Sequence, residues 1–141
     1  MEELLIDMIL LSQGLIPESE YKKRLDELFL GNPENNDLIY LEWETDINKA
    51  VLYVRAHINY NSFNLNQFGK NLMSKLKVIY AECTDIKWFA DRMYGLWESL
   101  PGNIQHIEPF QTLCYADDSL SWEDEEQTKD IYERMLNYYK N

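Results

Sequence analysis

Leu4, Leu5, Met8, Leu11 and Leu15 recur at three- and four-residue steps, and the same spacing returns in most later segments of the chain. Apolar residues three and four apart share one face of an α-helix but scatter over both faces of a strand. The pattern therefore predicts an all-α protein. Breaks in it mark the helix ends. Gly14 is expected to close a first amphipathic helix. Pro17 then opens "PESEYKKRLDELFLG", where Tyr21, Leu25, Leu28 and Phe29 form one stripe and Glu18 and Glu20 occupy the first turn, as the helix dipole favours. Gly31 and Pro33 mark its end.

"NDLIYLEW" is the ambiguous stretch. It is rich in strand formers but lacks strict alternation, and a strand there has no evident pairing partner. The reading taken is a short helix over 38–44 capped by Asp37. A longer helix over 47–59 follows, capped by Asp46, with Ile47, Ala50, Val51, Val54 and Ile58 inward. From about 65 to 83, Phe68, Leu72, Leu76, Ile79 and Tyr80 form a clear stripe. Gly69 interrupts it at a cost of about 1 kcal/mol relative to alanine, so packing must compensate. Thr84 is expected to cap the next helix, with Trp88, Phe89, Met93 and Trp97 inward. "PGN" at 101–103 is a turn, and residues 104–120 are expected to cross irregularly with one helical turn near 109–115. Ser121 is expected to cap a last helix reaching about 138, with Ile131, Met135, Leu136 and Tyr139 on its stripe. The expectation is one domain over residues 1–141, a bundle of six or seven helices.

A chain with 45% apolar and 13% aromatic residues is not disordered. Its two cysteines, Cys83 and Cys114, form no CxxC and no disulfide framework, which suggests small buried thiols in a reducing compartment. A single Cys83–Cys114 bridge is the minor alternative. The N-terminal run carries Glu2, Glu3 and Asp7 where a signal peptide carries positive charge, and it is too short and too charged to span a bilayer. A cytoplasmic location is expected.

Motifs for chemistry are scarce. The sequence contains no phosphate loop, no GxGxxG and no HExxH, so no cofactor or metal is expected. His57, His106 and Cys114 would form a thiol–imidazole site if the fold brought them together, and a small enzyme built on either histidine stays open. "DDSLSWEDEE" lacks the alternating ligands and central glycine of a calcium loop. Trp88 and Trp97 belong to helical stripes. Trp122, flanked by polar residues, is the better surface candidate of the four tryptophans, but a staple at the start of the last helix is the role expected of it.

The net charge of −12 excludes the basic footprint that nucleic-acid binding needs, and anionic membranes would repel the chain. The charge is uneven. Residues 1–46 hold twelve acids and three bases, and residues 101–141 hold nine acids and three bases, whereas the middle is nearly neutral. "YADDSLSWEDEEQTKD" alone carries seven acids and one base. A helix dipole tolerates acids in its first turn, which accounts for Glu123 to Glu126 but not for Asp117 and Asp118. A purely solvated face and a surface for a basic partner both remain open.

"CTDIKWFADRMYGLWESLPGN" followed by "CYADDSLSWEDEEQTKD", in a small, acidic, helical chain, resembles bacterial immunity proteins of contact-dependent growth inhibition and related polymorphic toxin systems. The resemblance implies a protein that binds and blocks the C-terminal domain of a toxin, often a basic RNase-type nuclease. Charge clustering singles out Asp117, Asp118, Trp122, Glu123, Asp124, Glu125 and Glu126 as candidate contacts. A second candidate surface comprises Glu34, Asp37, Glu42 and Glu44 around Tyr40 and Trp43. The alternative is a non-enzymatic acidic adaptor for a different basic partner, and the oligomeric state stays open.

Overall fold

The structure is a computed structural model that describes residues 2–58 and 63–139, apart from the Ser119 side chain. Among these residues every regular element is helical. The chain clusters into two compact units, Met1–Phe63 and Asn64–Asn141.

The first unit contains α1 (Glu2–Ser12), α2 (Glu18–Gly31), α3 (Asn36–Trp43) and α4 (Ile47–His57). Helix α1 packs on α2 and α4, and α2 packs on α3. The expected amphipathic stripe of α1 is replaced by burial on all sides: Leu4 through Leu10 are each at most 2% exposed, Asp7 included. A helix that is apolar all round is a core helix. Ile6, Ile9 and Leu10 fill the faces that the stripe of Leu4, Leu5, Met8 and Leu11 leaves open. The chain leaves α1 through Gly14 at φ 72°, a left-handed position that costs glycine nothing. The Gly14 N–H donates to the Leu11 carbonyl and the Leu15 N–H to the Leu10 carbonyl, both at 2.9 Å, which satisfies two otherwise orphaned carbonyls. Asp7 is neutralised from α2: Arg24 Nε pairs with its carboxylate, and Nη1 reaches Glu3 at 2.9 Å.

The ambiguous stretch is a helix, although its cap is Asn35 rather than Asp37. The Asn35 side chain accepts from the Asp37 N–H at 2.9 Å and the Leu38 N–H at 3.2 Å. Asp46 caps α4 as expected, accepting from the Asn48 N–H at 2.9 Å. The helix ends at His57 and Ile58 turns inward, 8% exposed. Position 59 of the expected helix lies outside the described residues.

The second unit contains α5 (Leu65–Glu82), α6 (Ile86–Ser99), a one-turn α7 (Thr112–Tyr115), a 3-10 helix (Ala116–Trp122) and α8 (Glu125–Leu136). The described residues thus form eight α-helices instead of six or seven. The difference lies in the one-turn α7, whose neighbouring 3-10 helix also replaces part of the expected irregular crossing. Helix α8 packs on α5 and on the 3-10 helix, while α6 packs on α7 and on the 3-10 helix. The core here is aromatic. The Phe89 ring meets Tyr132 edge-on at 5.0 Å and Tyr80 at 5.2 Å, geometries that add to simple area burial. Three expected details are corrected. Asp85, not Thr84, caps α6, accepting from the Lys87 N–H at 3.0 Å. Leu96 and Ala90 complete the buried face of α6, while Trp88 and Trp97 sit half-buried at its margin. Helix α8 stops at Leu136, and Tyr132 and Thr128 take the buried positions beside Met135 and Leu136.

Trp97 stays at the margin because its indole N–H needs a polar partner. It donates to the Gln105 carbonyl at 2.8 Å, and the Gln105 amide returns a bond to the Trp97 carbonyl at 3.0 Å. These two bonds fold the turn after Pro101 back onto α6. Packing at Gly69 compensates for the missing side chain in a specific way. A Cβ built there would lie 2.0 Å from the Tyr139 hydroxyl oxygen, so the tyrosine ring rests against bare backbone. Gly69→Ala therefore requires the outer end of the Tyr139 ring to move aside, and that displacement offsets the gain of about 1 kcal/mol that alanine brings to a helix. Urea denaturation checks this: the substitution should stabilise the chain more in a Tyr139→Ala background than in the wild type.

Candidate functional site

The segment from Ala116 to Glu126 is built by three local devices. Ala116 is fully buried and fixes the start of the 3-10 helix to the second unit. The Ser121 hydroxyl donates to the Asp118 carbonyl at 2.6 Å, and the Glu123 N–H donates to the Leu120 carbonyl at 3.1 Å. These bonds close the 3-10 helix on itself, so Ser121 is not the cap of the last helix. That cap is Asp124, whose carboxylate accepts from the Gln127 N–H at 3.1 Å. Between the two helices Glu123 adopts φ 60°, a left-handed conformation uncommon for a residue with a side chain. The left-handed residue changes the chain's direction between the 3-10 helix and α8.

The result is an array of exposed acids. Asp118, Glu123, Asp124, Glu125 and Glu126 all face solvent. Trp122 is 73% exposed, which rules out the staple and leaves the surface position. Asp117 is half-buried, and its carboxyl is held above the usual range by burial first, then by Asp118 and Asp91. Glu125 and Glu126 lie in the first turn of α8, where the dipole favours them. Among the described residues, one ion pair involves the array, Glu126 with Lys129, at 3.9 Å. A pair that long and that exposed contributes little.

The second candidate surface belongs to the first unit. Trp43 is 81% exposed and Tyr40 39%. The Tyr40 hydroxyl donates to Glu44 at 3.2 Å, and the Tyr53 hydroxyl donates to Asp37 at 2.7 Å. Glu34 is exposed, and Glu44 also accepts the Asp46 N–H at 3.1 Å. Asp37 and Glu44 are half-buried, and Glu42 shares that burial with one further constraint. One Glu42 carboxylate oxygen is shielded from solvent, and its carboxyl is pushed up by burial and by the Asp26 carboxyl on α2, against a small opposing effect of Lys22. The neighbouring Tyr21, 2% exposed, is pushed up to about 12 by burial and by Glu42. Glu42 thus feels the Asp26 carboxyl, and it is no more open than Asp37 and Glu44, which are half-buried as well.

A carboxyl whose proton is held more tightly in the folded chain contributes stability that is full below its ordinary value of 4.5 and is lost as pH rises through the raised folded value. Glu42→Gln is accordingly expected to raise the melting temperature at pH 7. The wild type should also gain more than the variant on acidification to the ordinary carboxyl value of 4.5. Thermal melts of both proteins at the two pH values check this. Equal gains would contradict the raised folded value.

The remaining chemistry-bearing residues are engaged locally. His57 Nδ1 lies 2.8 Å from the Tyr53 carbonyl, and the ring stacks on Tyr53 at 4.0 Å. The His106 ring stands edge-on to Trp97 at 6.3 Å. Cys83 and Cys114 are free and half-buried rather than fully buried, and burial raises both thiols, which keeps them protonated. A cavity of about 380 Å³ adjoins the acidic array, bounded by Tyr80, Cys83, Asp85, Ile86, Glu125 and Lys129. Among the described residues, no group of three or more histidine, cysteine, aspartate or glutamate side chains converges on one metal position. None of the described helices is long and apolar enough to cross a membrane.

No family model matches the chain, and searches of curated proteins and of solved structures find no match.

Sequence reasoning missed the influence of Asp26 on Glu42, two residues sixteen positions apart on different helices. It also missed the ring stack of Tyr40, Tyr53 and His57. The four-residue spacing of Tyr53 and His57 was a usable signal for half of that stack.

Proposed function

We propose that this chain is an immunity-type inhibitor: it binds a basic toxin domain of the RNase class in the cytoplasm and covers the cleft that would otherwise hold RNA. The observation that carries this reading is the exposure of Asp118, Glu123, Asp124, Glu125 and Glu126 around Trp122, itself 73% exposed, with a single weak ion pair to this array among the described residues. Like charge at this density opposes compactness, and solubility alone needs less of it. A cleft that binds phosphates must be cationic, so a fixed row of carboxylates can occupy it in place of the nucleic-acid backbone. Long-range attraction would speed encounter. Trp122, large and with few rotatable bonds, would slow dissociation once buried. The chain acts in this reading as a ligand and performs no reaction of its own.

Co-expression with a basic toxin domain encoded beside it tests the proposal. Cells should grow only when the chain is present, and RNA cleavage by the purified toxin domain should fall in proportion to added chain until one copy is bound per toxin. Undiminished cleavage with the chain in molar excess would overturn the reading. Turnover of a substrate by the chain alone would do the same.

A further inference from the structure

The first unit carries an aromatic surface with no role in its core. Tyr53 on α4 stacks on Tyr40 of α3 at 3.9 Å with the planes 14° apart, and on His57 at 4.0 Å with the planes 21° apart. Two rings cannot share one face at that distance, so Tyr53 lies between the other two. The outer faces of the stack therefore belong to Tyr40 and His57, both exposed. The stack is held at its hydroxyl edges by carboxylates: Tyr53 donates to Asp37 at 2.7 Å and Tyr40 to Glu44 at 3.2 Å. One turn along α3 from Tyr40, Trp43 exposes 81% of its surface. Residues 34–46 contribute five acids and no base.

Pre-ordered rings edged by carboxylates suit one kind of side chain. A guanidinium is planar and weakly hydrated; it stacks face-on over an aromatic ring while its N–H edge forks to a carboxylate. An ammonium offers charge without the plane. A nucleic-acid base would stack equally well, but its phosphates would meet five acids. We propose that the α3–α4 face is a binding surface for arginine side chains of a basic protein segment, with the Tyr40–Tyr53–His57 stack and Trp43 as its aromatic part and Asp37 and Glu44 as its anionic edge. The proposal rests on the proposed function only for the positive charge of the partner. It adds a residue preference and a second contact surface separate from the acidic array.

Calorimetric titration of the full chain with hexa-arginine and hexa-lysine peptides tests it. Hexa-arginine should bind about tenfold more tightly, a difference that persists at physiological salt because stacking is screened less than charge. Trp43→Ala, at a site too exposed to disturb folding, and Tyr40→Leu should each bring hexa-arginine close to hexa-lysine. Val78→Ala, an exposed apolar position on α5, should leave the preference unchanged. Equal affinity of the two peptides for the wild type would overturn the proposal, as would a preference that survives both substitutions. If the arginine preference is found but no toxin domain is neutralised, the proposed function fails and this surface stands. If a toxin is neutralised without any arginine preference, the reverse holds.

Discussion

Arg24→Ala is expected to destabilise the protein by about 1–3 kcal/mol, a sizeable fraction of the roughly 5–15 kcal/mol that holds a typical domain together. The magnitude follows from where the two charges sit. Arg24 retains 34% side-chain exposure, but Asp7 retains 3%, and the residues beside Asp7 on α1, from Leu4 to Leu10, are apolar and buried. An exposed pair would be worth at most about 1 kcal/mol. Removing the cation takes a charge-assisted contact from a buried carboxylate where water cannot replace it, and that loss dominates. The guanidinium also bridges Glu3 and Asp7, one turn apart on α1, so its loss releases the α1–α2 packing at two points. Chemical denaturation of Arg24→Ala measures the cost. The double variant Asp7→Leu with Arg24→Met should recover most of it, because it removes the charge together with its partner. A loss below about 0.5 kcal/mol for Arg24→Ala would show that the pair behaves as a surface pair.

Trp122→Ala is expected to weaken binding of the partner by about 2 kcal/mol or more, roughly thirtyfold in Kd, with most of the change in the dissociation rate. Folding should be unaffected, since the side chain is 73% exposed and the 3-10 helix is closed by backbone and Ser121 bonds. Trp88 provides the contrast. It is half-buried, with Arg92 lying over its ring at 4.3 Å, so Trp88→Ala should act on stability before it acts on binding. Surface plasmon resonance with the toxin domain separates the two. An unchanged dissociation rate for Trp122→Ala would remove this residue from the contact.

The helices themselves were legible because each carries its own period. Phe68, Leu72 and Leu76 on α5 and Phe89 and Met93 on α6 are buried as their spacing required. Caps were harder. Thr84 and Asp85, Asn35 and Asp37, and Ser121 and Asp124 all have side chains able to accept from a helix N–H. Which one does so depends on where the chain becomes extended, and local chemistry alone does not fix that. Ser121 failed for a physical reason: its hydroxyl donates backward to Asp118 and stabilises a 3-10 helix, so the helix start moves on to Asp124. The all-round burial of α1 was partly visible in Ile6, Ile9 and Leu10, but a count of one stripe ignores the opposite face. Pairings across helices were not legible. Asp7 with Arg24, Asp26 with Glu42 and Tyr40 with Tyr53 each require knowing which helices pack together. At the candidate site, the sequence favoured a staple for Trp122 over a surface position, and its 73% exposure overturns the staple. The composition of 34–44 grouped Glu42 with its neighbours, although the Asp26 carboxyl of α2 raises its carboxyl.

The association rate of the chain with the basic toxin domain, measured across a range of ionic strength, tests the central claim most directly. For the wild type the rate should fall steeply with salt. Reversal of Asp118, Glu123, Glu125 and Glu126 to lysine, which spares the Asp124 cap, should lower the low-salt rate by about 10- to 1,000-fold and flatten the salt dependence. A reversed variant that associates at the wild-type rate with the wild-type salt dependence would contradict the claim that this segment is where a cationic partner docks.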